Sequence, residues 1–310
     1  MSGQQGRKIA IFGASGNIGS LILEALREKK IHTITAFSRA TSSATFPSDV
    51  IVKKGDYADE RFLVSALQGQ DVIVLALGLE AFPTLQVPII RAAAKAGVKW
   101  VLPTEFASDV VRNKIRENNY FGDVRQSVRD AVEEQGMAWI AVVTNPWFDF
   151  SLERDMWGFN IKDRTARLFD GGSTKFVTTT IGNAGKGTAS VLSLPDAELE
   201  AYRNKPVYLA SFTITQRQIF ESLLRATGTQ EKDWKVTVED SETVLAEAGE
   251  KAKQGDMIAV MLALYVKHMR EGWGGDYSAK IGDLSKLGIA EENLDEVVKS
   301  VVAKYQAQKK

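Results

Sequence analysis

The 310-residue sequence balances 39 Lys+Arg against 39 Asp+Glu, with 44% hydrophobic and 25% charged residues. It therefore has no basic excess to draw nucleic acid or an anionic membrane, and it is long enough for a large α/β unit with a smaller lobe. The absence of cysteine excludes disulfides, thiol nucleophiles and thiolate metal sites, and two histidines far apart, His32 and His268, do not make a zinc site. No run approaches the ~18 apolar residues that span a bilayer. The opening MSGQQGRK lacks an apolar signal region, so a cytoplasmic location is expected.

In chain order, apolar runs at 8–12, 34–37, 50–52, 71–77, 100–102 and 139–144 read as buried strands. Between them, 18–29, 60–67, 83–96 and 119–135 carry apolar residues at helical spacing. Near-continuous apolar strands separated by helices predict α/β architecture, a doubly wound parallel sheet of Rossmann type. After Pro146 the rhythm changes. Runs 167–169 and 175–177 around Asp170-Gly171-Gly172 read as a hairpin. A small-residue helix over 184–194, a strand at 207–209, a helix over 213–227 and a strand at 234–238 follow. Residues 243–270 are mainly helical, with a break near 254–256 and His268 expected on the polar face. The expected division is a nucleotide-binding domain over 1–150 and a smaller substrate lobe over 151–310, some of whose segments return to the main sheet.

The first strand runs into GASGNIG, residues 13–19. Glycines at such a strand-to-helix turn let backbone approach a pyrophosphate, which then rests on the helix N-terminus. The spacing is GxxGxxG (Gly13, Gly16, Gly19), with Ser15 and Asn17 as further phosphate donors and Ile18 alongside. The alternative is a turn that uses glycine for tight packing alone. The second strand ends in Phe37-Ser38-Arg39 with no carboxylate. A carboxylate there would bind a ribose 2′-hydroxyl, whereas the Arg39 fork suits a 2′-phosphate, so NADP(H) is the expected cofactor. Asp56 and Tyr57 follow the third strand, where an adenine ring rests, and Leu77-Gly78 close the fourth beside the cofactor.

GASGNIG, then FSR, GDYAD at 55–59 and LQVPIIRAAAKAGVKWVLPTEFASD at 85–109 together resemble the isoflavone reductase-like / NmrA-like family of atypical short-chain dehydrogenases. Asn145-Pro146 and the 168–175 stretch resemble further segments of that family, clearly over residues 7 to about 190 and weakly beyond. The resemblance implies an NADP-binding Rossmann domain, a substrate lobe and hydride transfer to phenolic or conjugated carbonyl-type molecules. It places Gln86, Thr104, Glu105, Phe106, Asn145 and Pro146 among the cofactor-binding residues. The aromatic cluster Trp147, Phe148, Phe150, Trp157 and Phe159 follows the sixth strand; part is expected to line an apolar substrate pocket and part to pack as core.

Two departures bear on the chemistry. Tyr120, Tyr202 and Tyr265 are followed four positions on by Val124, Pro206 and Met269, so the Tyr-x-x-x-Lys pair of ordinary short-chain dehydrogenases is expected to be absent. The lysine that the resembled reductases carry in the helix before the sixth strand aligns with Arg125, and the Asp-Ile-Gly after their hairpin reads Gly185-Lys186-Gly187. Guanidinium stays protonated and is a poor proton donor, but it can orient a substrate oxygen or stabilise negative charge. Arg125, with Lys114 and Tyr120 just before its helix, are the catalytic candidates. The leading expectation is an NADPH-dependent oxidoreductase acting on an apolar aromatic or conjugated carbonyl-type molecule. The other is an NmrA-like redox sensor that binds dinucleotide and a protein partner without turnover.

Overall fold

The computed structural model describes residues 4–109 and 120–307. The first half alternates β1 (Lys8–Phe12), α1 (Asn17–Lys29), β2 (Thr33–Arg39), β3 (Ile51–Gly55), α2 (Glu60–Leu67), β4 (Val72–Leu75), α3 (Gln86–Lys95), β5 (Trp100–Leu102), α4 (Tyr120–Glu134) and β6 (Ala138–Val143). There follow α5 (Phe148–Leu152), β7 (Phe159–Asn160), β8 (Thr165–Phe169), β9 (Phe176–Thr178), α6 (Ile181–Leu192), α7 (Asp196–Glu200) and β10 (Lys205–Tyr208). The chain ends with β11 (Phe212–Ile214), α8 (Gln216–Thr227), β12 (Lys235–Glu239), α9 (Ser241–Lys253), α10 (Met257–His268) and α11 (Leu294–Ala307).

A seven-stranded sheet in the order β10-β6-β5-β4-β1-β2-β3 forms the centre of the protein. Its pairings are all parallel, with Ile9 opposite Ile34 on one side and Val72 on the other. Strands such as β4 and β6 are buried throughout because helices cover both faces of the sheet. One face packs Ile9, Ile11, Val74 and Val142 against Ile22 and Leu26 of α1 and Val191 of α6. The other packs Phe12, Ile73 and Val101 against Ile89 of α3 and Val128 and Val132 of α4. From β1 the order runs outward to β3; from β4 it runs the opposite way. That reversal opens a crevice at the strand carboxyl ends between β1 and β4, the place where open α/β sheets bind ligands. From the second half of the chain, β10 extends the sheet, pairing Val207 with Val142.

A second core gathers Phe148, Trp157, Phe159, Leu168, Phe176, Phe220, Trp234 and Tyr265, with Val298 and Val301 of α11 closing it. Here the structure corrects the expected hairpin: β8 and β9 do not pair. β8 joins β7 and β12, whereas β9 pairs antiparallel with β11. Asp170-Gly171-Gly172 forms a 3-10 turn in which Asp170 and both glycines have positive φ, sending the chain to a different sheet. Residues 213 and 214, expected to begin the helix over 213–227, belong instead to strand β11; Thr215 then caps α8 through a capping box.

Candidate functional site

The glycine turn sits in the crevice. Gly13 has φ +78, and a Cβ there would lie 2.8 Å from the Ala76 carbonyl carbon beyond β4. A Cβ on Gly19 would lie 2.8 Å from the Gly13 carbonyl carbon, so α1 can approach the turn only without side chains. The Gly16 N–H donates to the Gly13 oxygen at 2.9 Å. Gly16 is the N-cap of α1, with no side-chain cap and no acidic residue in the first turn. By contrast α2, α8 and α10 are capped by Asp59, Thr215 and Asp256. The positive end of α1 is thus left for an anion. Ser15 and Asn17 are exposed at that end, while Ile18 and Gly19 are buried beneath it.

Arg39 ends β2 exposed to solvent. Its charge reaches Tyr57, which is buried edge-on against Phe12 with its hydroxyl pushed up to about 12 by burial. Asp56 is exposed and accepts the Ala58 N–H at 2.9 Å, closing the turn after β3. Leu77 is half-buried, and around Gly78 nothing lies within 4 Å of a built Cβ.

The block 103–106 is held by α3. Gln86 is buried; its Nε2 donates to the Phe82 carbonyl and its Oε1 accepts from the Thr104 N–H, both at 2.9 Å. Thr104 Oγ1 donates to the Leu75 carbonyl at 2.8 Å. Glu105 is buried and its two carboxylate oxygens accept from Arg129, itself buried and stacked 4.5 Å from the Trp139 ring. Phe106 packs into the core beside α1.

Asn145 follows β6 with φ +53 and is fully buried. Its backbone N–H donates to Ala107 O, and its Nδ2 donates to Val177 O at 2.7 Å and Gly275 O at 2.8 Å, leaving Oδ1 without a partner among the described residues. Pro146 O accepts from Thr178 Oγ1 at 2.6 Å. Trp147 and Phe150 are half-buried and meet edge-to-face with centroids 5.4 Å apart, and Trp147 Nε1 has no partner among the described residues. Phe148 and Trp157 lie instead in the second core, fully buried, with Trp157 Nε1 donating to Phe148 O at 3.0 Å.

Of the catalytic candidates, Lys114 lies outside the described residues and Tyr120 opens α4. Arg125 is buried on α4, 5.9 Å from the Phe82 ring, and its NH1 reaches the Ser108 carbonyl at 3.5 Å. Its Nε has no hydrogen-bond partner among the described residues. Burial lowers its pKa; Glu105 opposes that shift and Arg129 adds to it. With Glu105 held by Arg129, Arg125 is a buried cation without a carboxylate of its own among the described residues.

His268, expected on a polar face, is fully buried. Helix α10 has no such face: Met257, Ile258, Met261, Leu262 and Val266 surround it with apolar side chains. Nδ1 donates to the Leu264 carbonyl at 2.7 Å, Nε2 has no partner among the described residues, and the pKa falls to about 4 through burial, helped by the Arg125 charge. Sequence reasoning missed this residue, although a lone histidine inside so apolar a helix was the available signal. The spacing Tyr-x-x-x-Lys, expected to be absent, does occur once, as Tyr305 and Lys309. Tyr305 sits at the end of α11, which packs on α8 and α5 at the second core, and Lys309 lies outside the described residues.

The sequence profile of the NmrA-like family matches residues 5–261. The chain is 31% identical over 304 residues to the oxidoreductase aprR of Aspergillus flavus, covering 95% of this chain and 98% of that protein. Among solved structures it is similar to an isoflavone reductase (TM-score 0.77, 24% identity) and to AtPrR2 with NADP+ and (+)pinoresinol (TM-score 0.76, 21% identity). Each comparison covers 96% of this chain and 99% of the other. A matching profile over most of the chain, full-length relatives and the same doubly wound fold agree: the chain belongs to the isoflavone reductase-like / NmrA-like family of atypical short-chain dehydrogenases.

Proposed function

We propose that the protein is an NADPH-dependent oxidoreductase that reduces an apolar aromatic or conjugated carbonyl-type small molecule. The observation that carries this reading is the uncapped end of α1 beneath a turn where Cβ atoms on Gly13 and Gly19 would collide with backbone. Such a cradle fits a pyrophosphate. Arg39 favours the 2′-phosphate form of the dinucleotide. The oxidoreductase name of aprR and the NADP+ bound in AtPrR2 support the same reading.

Gly13, Ser15, Gly16, Asn17 and Ile18, with Gly19, would hold the pyrophosphate, Arg39 the 2′-phosphate, and Asp56 and Tyr57 the adenine end. Leu77 and Gly78 would flank the dinucleotide. The open Oδ1 of Asn145 suits the amide N–H of a nicotinamide, with Pro146 and Phe106 beside it. Gln86, Thr104 and Glu105 act through position, bracing the loops around that end. When bound, NADPH supplies a hydride at the nicotinamide C4. Trp147 and Phe150 offer the substrate an apolar wall, and Arg125 orients its oxygen and stabilises negative charge growing there. The guanidinium keeps its proton, so the proton that completes reduction comes from solvent.

The test incubates the protein with NADPH and a panel of aromatic ketones, enones and quinones, following absorbance and product mass. Turnover with at least one class is expected, and Arg125→Met should lower kcat without changing NADPH affinity. Tight dinucleotide binding with no turnover across the panel would overturn the reductase reading. It would favour a sensor that binds a protein partner, which an arginine in place of the family lysine also suits.

A further inference from the structure

A cavity of about 450 Å³ lies at the far edge of the main sheet, with β6 and β5 between it and the dinucleotide crevice. It is bounded by β10, the turn between α7 and β10, and residues 280–287, and its volume is that of a small-molecule site. Leu194, Val207, Leu284 and Leu287 line it with apolar side chains continuous with the core of that face. Along this wall β10 presents an open strand edge. Successive residues of a parallel strand turn their N–H and C=O to opposite sides. Leu209 N–H donates to Val143 O, so Leu209 and Val207 face β6, while Tyr208 and Pro206 face outward. The edge thus offers the Pro206 carbonyl as acceptor and the Tyr208 N–H as donor. Proline has no N–H, so a strand pairing here would lose its ladder beyond Pro206.

At the Tyr208 end stands a cation. Lys280 Nζ lies 5.2 Å from the centre of the Tyr208 ring and donates to Asp109 Oδ2 at 2.6 Å; the Tyr208 hydroxyl donates to the same oxygen at 3.1 Å. The Asp109 side chain is 1% exposed and that of Lys280 48%. The carboxylate therefore holds the ammonium from the protein side and leaves it further N–H donors for a ligand. The other charged groups around the cavity are Glu198, Lys286 and Asp283, the last accepting from the Ser285 N–H and hydroxyl. One chemistry answers this order of groups. A single amino-acid residue laid parallel to β10 opposite Val207 sends its N–H to Pro206 O and receives the Tyr208 N–H on its carbonyl oxygen. Where that residue ends in a carboxylate, the second oxygen meets Lys280 in a charge-assisted bond. A carboxamide would leave the ammonium without a countercharge from the ligand.

We propose that the cavity beside β10 is a binding site for an N-acyl amino acid with an apolar side chain. Its N–H donates to Pro206 O, its carboxylate accepts from the Tyr208 N–H and Lys280, and its side chain fills the hollow at Leu284 and Leu287. The site is separate from the dinucleotide crevice and stands apart from the reductase reading.

The test is calorimetric titration with N-acetyl-L-phenylalanine, which should bind saturably both with and without NADP+. Methylating its amide nitrogen, or replacing its carboxylate by a carboxamide, should each weaken binding on the order of 10-fold, the scale of one unmade hydrogen bond. Leu284→Trp, which fills the cavity, should abolish binding and leave NADPH affinity unchanged. Lys280→Gln should remove the preference for acid over carboxamide, and Lys280→Arg should keep it. Independently of any variant, the Tyr208 amide proton resonance should move downfield when N-acetyl-L-phenylalanine binds. No saturable binding, displacement by NADP+, a methylated or carboxamide compound binding as tightly as the acid, a preference surviving in folded Lys280→Gln, or an unmoved Tyr208 resonance would overturn the proposal. Binding of this kind in a protein that never oxidises NADPH would uphold the site and overturn only the reductase reading.

Discussion

Gly19→Ala is the sharpest perturbation of the cofactor cradle. The new Cβ would meet the Gly13 carbonyl oxygen well inside van der Waals contact and lie 2.8 Å from its carbon and 3.2 Å from Ala14 Cα. All three are backbone atoms of the turn, so no side chain can swing aside and the turn must open. Overpacking of this kind costs ~1–3 kcal/mol. Because the displaced N–H groups are those that would face the pyrophosphate, NADPH affinity should fall at least ~10-fold, equivalent to ~1.4 kcal/mol. Gly16→Ala is the control within the same turn: its nearest contact is 3.2 Å and its φ is −79, which alanine adopts freely. That variant should unfold within a few tenths of a kcal/mol of wild type, so any loss of NADPH affinity there would report the approach of the pyrophosphate to Gly16 itself. At Gly78 a Cβ meets nothing within 4 Å, so Gly78→Ala should melt like wild type and any loss of affinity there would report contact with the cofactor. The assay is fluorescence titration of NADPH with thermal unfolding in parallel. A Gly19→Ala protein that binds NADPH within a factor of two of wild type would refute the reasoning.

Three further expectations follow from particular contacts. Arg129→Met strands the buried Glu105 carboxylate, and should cost ~3–5 kcal/mol in chemical denaturation; adding Glu105→Gln should recover much of it, and additive losses would contradict the pairing. Arg39→Ala should weaken NADPH at least ~10-fold through loss of a charge-assisted phosphate contact and leave NADH nearly unchanged; equal losses would contradict the 2′-phosphate assignment. His268 stays neutral in the fold with its pKa lowered from 6.5 to about 4, so the unfolded chain takes up a proton first as pH falls. Stability from this group is complete above about pH 6.5 and declines toward pH 4, by roughly 3 kcal/mol in all. Unfolding of His268→Phe should lack this part of the slope, whereas His32, lowered to about 4 as well, keeps its own; identical pH profiles for variant and wild type would contradict the buried neutral ring.

The sequence carried the first half of the fold because each buried strand announces itself locally. Ile9, Ile11 and Phe12 leave the first strand no polar face, and the glycines behind it mark where backbone must pass close to backbone. What escaped was decided at long range. Thr165–Phe169 and Phe176–Thr178 flank a glycine turn as hairpin strands would, yet each finds its partner far along the chain, in Lys235–Glu239 and Phe212–Ile214. Within the aromatic cluster, the sequence could not separate Phe148 and Trp157, packed on Phe212 and Phe176, from half-buried Trp147 and Phe150. His268 escaped because an amphipathic helix was assumed where the apolar surface runs all round. Arg125 was found through its place in a family pattern, but its lack of a carboxylate among the described residues depends on Arg129 having taken Glu105, a competition invisible in either residue alone.

The central claim, that the cleft carries out reduction as well as binding a nucleotide, is met most directly by following deuterium. The protein is incubated with the enones and ketones of the panel, whose reduction fixes the hydride on carbon, and NADPH deuterated at one or the other face of the nicotinamide C4, and products are read by mass spectrometry. One face alone is expected to deliver a single deuterium to the product. Deuterium retained in the nucleotide from both faces, beside tight NADPH binding, would contradict it.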